Sequence, residues 1–456
     1  MIILHPYQQK CRDDIKRVLA HGYKSVLLQL EPGGGKTYIA GSIIQGAKTN
    51  CLFLCNRIEL VDQTIKAFSN LGIVTGLIAS GYKEDYSLSV QVGSVDTVKS
   101  RLHQIPWKPG LIIHDECRGV AADGWSRIYH HWPDAYHIGL DGTPERTDGA
   151  PLRPYFSKMV KGPTGKELIA MGNLVGPRCF APGNPDLSSV PKDRNGEFNN
   201  SRLAEVMDTP EITGSSIKHY VQYGEQSQGI IFCTRVSHSI NTADAFNAVG
   251  ISSIHLDGNT PIMERKRIMK AYRAGDIKLL MNVNIVAAGF DVPNVSYIGD
   301  EFPTNSIAMF KQRAARGARV YPGKEYYIYA DHGGNIKRHN MLPHHSRDWD
   351  LNGKSKKSKK MGDSLSIKFC PECFYSHEPA PACPDCGHIY IAEDNSPEYV
   401  VGELKEIIEE QKKQRKLEVA QCRTYEDFKR VALERGYDPK WAIIRWKLWE
   451  GHYGAR

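Results

Sequence analysis

Apolar runs of three to five residues recur along the first 330 positions, at 26–30, 51–55, 111–113, 230–233, 253–256, 279–283 and 326–329. Helix-length amphipathic segments lie between most of them, 59–70 and 261–273 being the clearest. Nearly continuous apolar runs mark strands buried on both faces, and their alternation with helices predicts parallel sheets. The alternation breaks over 151–215, where Gly, Pro, Asn and Asp are frequent, and then resumes. This pattern predicts an α/β domain over 1–150, an irregular connector over 151–215 and a second α/β domain over 216–340. Beyond Asp331 the pattern is lost. Residues 354–360 hold five lysines and no apolar residue, so 341–364 reads as a Lys-rich linker. A cysteine module over 365–392 and a charged helical region over 398–456 follow. In the latter, 425–435 and 440–449 read as helices whose Trp441, Ile444 and Trp449 either form a small core or stack on bases.

Composition changes this picture little. A chain of 456 residues is too long for one core, and 41% apolar with 24% charged residues is ordinary for a globular protein. The net charge of +8 favours an acidic partner only weakly. No run of 18 apolar residues and no signal-like N-terminus is present, so a cytoplasmic location is expected. Seven of the eleven cysteines are scattered singly or nearly so and read as buried thiols.

The chemistry is carried by short segments. Gly33-Gly34-Gly35-Lys36-Thr37 follows an apolar run and precedes a helix-like stretch, the form of a shortened phosphate-binding loop. Its glycines would let backbone N–H groups face phosphate, with Lys36 on the β and γ phosphates and Thr37 on magnesium. Glu31 is unexpected there, because a carboxylate near a triphosphate must point away. The run 111–113 leads into Asp115-Glu116, where Asp115 would hold the metal and Glu116 would polarise the attacking water. Arg316 and Arg319 are three apart, on one face if helical, and could be carried to a γ-phosphate by domain closure. Cys370-Pro-Glu-Cys373 and Cys383-Pro-Asp-Cys386 are two knuckles with the spacing of a closed, structural four-thiolate zinc site.

Taken in order, these segments resemble the successive motifs of superfamily 2 helicases, joined by His5-Pro6-Tyr7-Gln8, Asn56-Arg57, Gly93-Ser94-Val95-Asp96-Thr97, Gly139-Leu140-Asp141-Gly142-Thr143-Pro144, Thr234-Arg235, Ala288-Gly289-Phe290-Asp291 and Gln312. Within that superfamily the chain looks most like bacterial RadD helicases and related phage helicases. The resemblance implies two tandem RecA-like domains with a P-loop NTPase site, then a zinc ribbon and a small helical C-terminal region. It implies an ATP-dependent, magnesium-requiring motor that unwinds or remodels DNA in replication, recombination or repair, with proteins of those processes as partners. An RNA helicase, or a nucleotide-dependent clamp or translocase subunit that does not separate strands, are the alternatives. By the same resemblance Gln8 would read adenine. Gly289, Asp291 and Gln312 would complete the nucleotide site, Arg316 and Arg319 would be its arginine fingers, and Arg57, Ser94, Thr97, Thr234, Arg235 and Thr260 would touch nucleic acid. The chain departs from the family where Arg118 replaces the usual histidine and Asp141 the usual threonine. Those positions suggest altered coupling with hydrolysis intact, so that Arg118→His is expected to preserve turnover.

Overall fold

The computed structural model describes residues 3–56, 58–146, 148–183, 185–193, 196–224, 227–283, 292–353, 367–390 and 417–453. The apolar runs become strands with no exposed positions, such as Leu27, Leu28, Phe53, Ile112 and Ile231. The first sheet holds β1 (Ser25–Gln29), β2 (Cys51–Cys55), β3 (Gly76–Ile78), β4 (Val90–Ser94), β5 (Leu111–Asp115), β6 (Tyr136–Asp141) and β7 (Lys158–Lys161). Its order is β3-β4-β2-β5-β6-β1-β7, and every pairing is parallel. Helices α1 (Pro6–Ala20), α2 (Lys36–Gly46), α3 (Ile58–Asn70), α4 (Val95–Arg101) and α5 (Asp123–His131) connect or flank it.

The second sheet runs β10-β11-β9-β12-β13-β8, also wholly parallel. Its strands are β8 (Gly176–Phe180), β9 (Gly229–Phe232), β10 (Ser253–Leu256), β11 (Leu279–Asn282), β12 (Tyr297–Asp300) and β13 (Tyr326–Ala330). Helices α6 (Gly165–Ala170), α7 (Asn200–Met207), α8 (Pro210–Tyr223), α9 (Val236–Ala248), α10 (Ile262–Ala274), α11 (Ile307–Ala314) and α12 (Asn335–His339) belong to this half of the chain.

Two stretches differ from expectation. Residues 151–215 are not irregular: they supply β7 to one edge of the first sheet and β8 to an edge of the second, besides α6, α7 and part of α8. Edge strands such as Lys158-Met-Val-Lys161 carry too few apolar residues to announce themselves. The beginning of the expected linker is also ordered. Trp349 and Leu351 are buried, and the Leu351 carbonyl accepts from the N–H groups of Leu152 and Arg153, both at 2.8 Å. Two isolated apolar residues among charged ones give no periodicity to read. The Lys-rich run itself lies outside the described residues.

The cysteine module (367–390) caps the edge strand β8. Phe180 bridges to Tyr375, the Ala181 N–H donates to the Phe374 carbonyl at 2.9 Å, and Tyr223 donates to the Cys373 carbonyl at 3.0 Å. The last compact unit is a helical hairpin, Tyr425–Glu434 and Pro439–Tyr453, around Cys422, Phe428, Val431 and Ala442. Trp441 and Trp449 pack against that core, whereas Ile444 is exposed. Among the described residues no helix is long and apolar enough to cross a membrane. The seven scattered cysteines are buried and free.

A directed hydrogen-bond chain lies under the functional edge of the first sheet. Trp125 Nε1 donates to His114 Nδ1 at 3.0 Å, which leaves the His114 proton on Nε2, 3.0 Å from His137 Nδ1; His137 Nε2 faces the Trp132 carbonyl at 3.3 Å. Burial pushes His114 well below its ordinary range and His137 down to about 4. Both histidines fold neutral, so their contribution to stability is present above the unfolded value near 6.5 and is lost as pH falls through the folded one. The thermal midpoint is therefore expected to drop between pH ~6.5 and ~4, and to drop less in the double variant H114Q/H137Q. Equal slopes in melts across that range would place the acid sensitivity elsewhere.

Candidate active site

The register of the first sheet assembles the site. Gln29 pairs with Asp141 and Asp115 with Leu140, so the ends of β1, β5 and β6 lie side by side. After β1 the chain turns through Pro32 to Gly35 and enters α2. Gly33 and Gly35 have φ of +87° and +83°, and a Cβ on Gly35 would stand 2.3 Å from Gln8 Nε2. A side chain there would meet both a left-handed penalty of about 1–2 kcal/mol and a steric conflict. The loop is braced by α1. Tyr7 Oη and Gln8 Nε2 both donate to the Gly34 carbonyl, at 3.0 and 3.2 Å, while Gln8 Oε1 accepts from the His5 N–H. This leaves the loop and the first turn of α2 to present N–H groups to an anion. Lys36 Nζ donates to the Leu30 carbonyl at 3.0 Å.

Asp115 ends β5, and Glu116 follows in the left-handed region with φ +52° and ψ +47°. Such a conformation costs a non-glycine residue roughly 1–3 kcal/mol and is concentrated at functional sites. It turns the Glu116 carboxylate out of the strand. There the Glu116 Oε2 accepts from Arg118 and, at 2.8 Å, from Gln312 Nε2 of the second domain. Arg118 Nη1 also donates to Asp141 Oδ1 at 2.9 Å, its N–H donates to Asp141 Oδ2 at 2.9 Å, and the Thr143 N–H donates to Asp141 Oδ1 at 2.9 Å. Asp141 is fully buried. The two departures from the family pattern are thus partners in one ion pair, and that pair reaches Glu116. Arg118, expected from the sequence to be separate from hydrolysis, touches the carboxylate expected to polarise water.

The charges are unevenly satisfied. Burial pushes Asp115 up to about 7, helped by the neighbouring Glu116 charge and opposed by Lys36. Burial raises Glu116 too, but Arg118, Lys36 and Arg316 outweigh it and hold the group below its ordinary range. Glu116 is therefore ionised, while Asp115 lacks positive charge. A hard divalent cation beside Asp115 and the Thr37 hydroxyl fits that deficit.

From the second domain, α11 carries Gln312 and ends at Ala314, so Arg316 and Arg319 lie beyond it rather than on one helical face. The turn continues through N–H bonds from Arg316 to the Arg313 carbonyl and from Gly317 to that of Ala314. A cavity of about 1080 Å³ is lined from the first domain by Gln8, Gly33, Gly35, Lys36, Thr37, Asp115 and Glu116, and from the second by Gln312, Arg316 and Arg319. Gly289, Asp291 and Arg57 lie outside the described residues.

The positions expected to touch nucleic acid do not line that cavity. Ser94 and Thr97 are buried, with Ser94 Oγ donating to Thr97 Oγ1 at 2.8 Å. Thr234 is buried against His238 Nδ1 at 3.0 Å, Arg235 pairs with Asp208 at 3.1 Å, and Thr260 donates to Asp257 at 3.0 Å. These side chains thus already have partners within the protein. Their shared property is placement: Ser94 caps α4, Arg235 caps α9, and Thr260 precedes the cap of α10. Three helix N-termini offer orphan N–H groups and positive dipole ends suited to phosphates.

In the cysteine module all four Sγ atoms lie within 4.8 Å of one another, with Cys370–Cys386 at 3.6 Å and Cys373–Cys383 at 3.7 Å. Zn–S bonds of about 2.3 Å in a tetrahedron require sulfurs roughly 3.8 Å apart, so the set fits zinc. The two knuckles share one backbone design. Phe374 and Gly387 have φ of +60° and +76° and donate N–H bonds to Cys370 and Cys383 respectively, both at 3.0 Å. A second grouping, Cys233, His238 and Glu301, is different. The Thr234 N–H approaches His238 Nδ1 at 3.3 Å, which leaves the proton on Nε2, 2.9 Å from Glu301. That is a close buried contact between imidazole and carboxylate, and neither His238 Nε2 nor the Glu301 oxygens has a well-aligned hydrogen-bond partner.

Comparison with known proteins bears on the assembled cleft. Residues 1–146 match the family described as type III restriction enzyme, res subunit, and residues 214–321 match the helicase conserved C-terminal domain. The chain belongs to superfamily 2 of the helicases. A 51.5 kDa protein of Lactococcus phage (isolate 7-9) is 28% identical over 392 residues, 85% of this chain and 83% of that one. A protein described as the mitochondrial ATP-dependent helicase irc3 of Schizosaccharomyces pombe is 26% identical over 358 residues, 74% of this chain and 58% of that one. Among solved structures, the ATP-dependent type ISP restriction-modification enzyme LlaBIII bound to DNA shares the fold, with a TM-score of 0.55 at 14% identity over 72% of this chain and 27% of that one. The helicase-family domains imply ATP hydrolysis activity.

Two outcomes follow. Arg118→His alone strands Asp141 without its cation, and a loss of turnover on the order of tenfold is expected. Adding Asp141→Thr should return most of it, an interaction of about 0.5–3 kcal/mol. Strictly additive losses in steady-state ATPase would mean that the two residues act independently. Metal analysis should find about one zinc per chain, and Cys373→Ser should remove it and lower the thermal midpoint. Full zinc in that variant would exclude the four-thiolate site.

Proposed function

We propose that the chain is an ATP-dependent DNA helicase or translocase that unwinds or remodels branched DNA in replication, recombination or repair, akin to the RadD and phage helicases. The observation that carries it is the meeting of Glu116 with Gln312 across a cleft that also holds Lys36 and Arg316. Triphosphate would lie along the N–H groups of the Gly33–Gly35 loop, with Lys36 exchanging the Leu30 carbonyl for phosphate oxygens. Magnesium, when bound, supplies the charge that neutralises and orients those oxygens, and Thr37 and Asp115 would hold it. Glu116, kept ionised by Arg118, would accept the proton of the attacking water. Arg316 and Arg319 would steady the charge that develops as the terminal phosphate leaves.

Contacts at the N-termini of α4, α9 and α10 would be to phosphates, which supports movement without sequence preference. Preference for DNA rests on the family resemblance and on the DNA-bound restriction-modification enzyme of similar fold. Direct tests are available. Lys36→Ala and Glu116→Gln should each lower nucleic-acid-stimulated phosphate release by roughly 10²-fold or more, since each removes a group acting on the transferring phosphate. Intact hydrolysis in either would refute the site. Stimulation should be stronger with single-stranded or forked DNA than with RNA. The reverse ranking would make the chain an RNA motor, and stimulation without strand separation would make it a translocase.

A further inference from the structure

Glu31 poses a problem in the sequence, because a carboxylate just before a phosphate-binding loop repels a triphosphate unless it is turned away and neutralised. The structure does both, and it does so across the domain boundary. The Glu31 oxygens lie 2.8 and 2.7 Å from Lys311 Nζ on α11, with the two side chains only 3% and 1% exposed. Lys311 Nζ also donates to the His345 carbonyl at 2.7 Å, and Ser346 Oγ donates to Glu31 Oε1 at 2.6 Å. The pair is buried, and both charges are met by further hydrogen bonds.

Its place in the chain gives it a mechanical consequence. Glu31 is two residues before Gly33, and Lys311 is next to Gln312 and five residues before Arg316. On the other side, α11 is fixed to its own domain by Arg313, which is buried, lies 3.2 Å from Asp300 and stacks over Phe302. The helix is therefore rigid with respect to the second sheet, and Lys311 ties it to the phosphate loop of the first. A buried ion pair is a poor device for stability alone, since apolar residues of equal volume do as well. What it adds is registration, because a short-range attraction between buried groups is satisfied at only one separation of the two elements.

We propose that Glu31 and Lys311 are a positioning pair for ATP hydrolysis, fixing the distance between the phosphate loop and the donors Gln312 and Arg316. The proposal rests on the cleft being the ATP site. The pair touches no substrate; it acts through the groups it places. Its loss should therefore slow the chemical step while leaving nucleotide affinity nearly unchanged.

The test is the double variant E31Q/K311Q of the full chain, which keeps side-chain volume, removes both charges and strands neither. Stimulated turnover should fall at least about tenfold, with the ATP KM within about threefold of wild type and the thermal midpoint retained. A kcat within twofold of wild type, or a rise in KM alone, overturns the proposal. If the double variant does not fold, Ser346→Ala removes one hydrogen bond from Glu31 without uncovering a charge. A fall in kcat at constant KM then supports the pair, and an unchanged kcat overturns it. Glu116→Gln is assayed alongside. Hydrolysis retained there refutes the ATP site itself, whereas its loss beside an unaffected E31Q/K311Q refutes only the positioning pair.

Discussion

Asp115, Glu116 and Asp141 stand at the ends of the adjacent strands β5 and β6, and three carboxylates so close cannot all stay ionised unless positive charge is brought to them. The arrangement around them answers that constraint. Lys36 comes from the loop after β1, Arg118 from the turn after β5, and Arg316 from the second domain. Arg118 spans Glu116 and Asp141, so the third carboxylate is neutralised by the residue that also holds the second. Asp115 is left short of charge, and that shortage is what suits it to a metal. A parallel sheet makes the cluster unavoidable, since all its strands deliver their carboxyl ends to one edge.

The same constraint explains how much could be read from sequence. Strands buried on both faces tend to be continuous apolar runs, so the central strands β1, β2, β5, β9, β11 and β13 were legible, as were the P-loop and the pair of cysteine knuckles, whereas β4, β6 and β12 carry Gly, Gln, His or Asp and were not. Of the edge strands β10 was read but β3, β7 and β8 were not; β7 and β8 carry mixed residues and fell within a stretch read as irregular. Nor were pairings between distant positions. Arg118 and Asp141 are 23 residues apart and Glu31 and Lys311 are 280 apart; Arg118, Asp141 and Glu31 looked like separate oddities and Lys311 drew no notice, because a buried charge declares its partner only once the fold is known. Arg316 and Arg319 would share one face only if their segment were helical, but α11 stops at Ala314 and both lie beyond it.

The cysteine module shows a different economy. Its knuckles repeat one backbone design, with glycine at the left-handed position of the second and Phe374 at that of the first. Phe374 accepts that conformation where it can also give its carbonyl to Ala181 at the edge of β8, with its ring 6.0 Å from that of His219. Strain in the knuckle is thus offset by docking, and an edge strand that would otherwise expose unpaired N–H and C=O groups is partly covered. The module is in this respect part of the second domain's architecture.

The resting contacts also bear on the order of events in the cleft. Glu116 Oε2 accepts from both Arg118 and Gln312, so the carboxylate that would take a proton from water is held by a donor from the opposite domain. A proton acceptor burdened with two charged or polar donors is a weak base. Lys36 is likewise occupied by the Leu30 carbonyl. On the proposed reading, nucleotide in the cleft would offer phosphate oxygens that compete for both donors. With Gln312 and Lys36 turned to phosphate, Glu116 would lose two of the groups that hold its charge, keeping Arg118 and Arg316, and its basicity would rise. The contacts across the cleft would therefore restrain hydrolysis until the substrate itself displaces them.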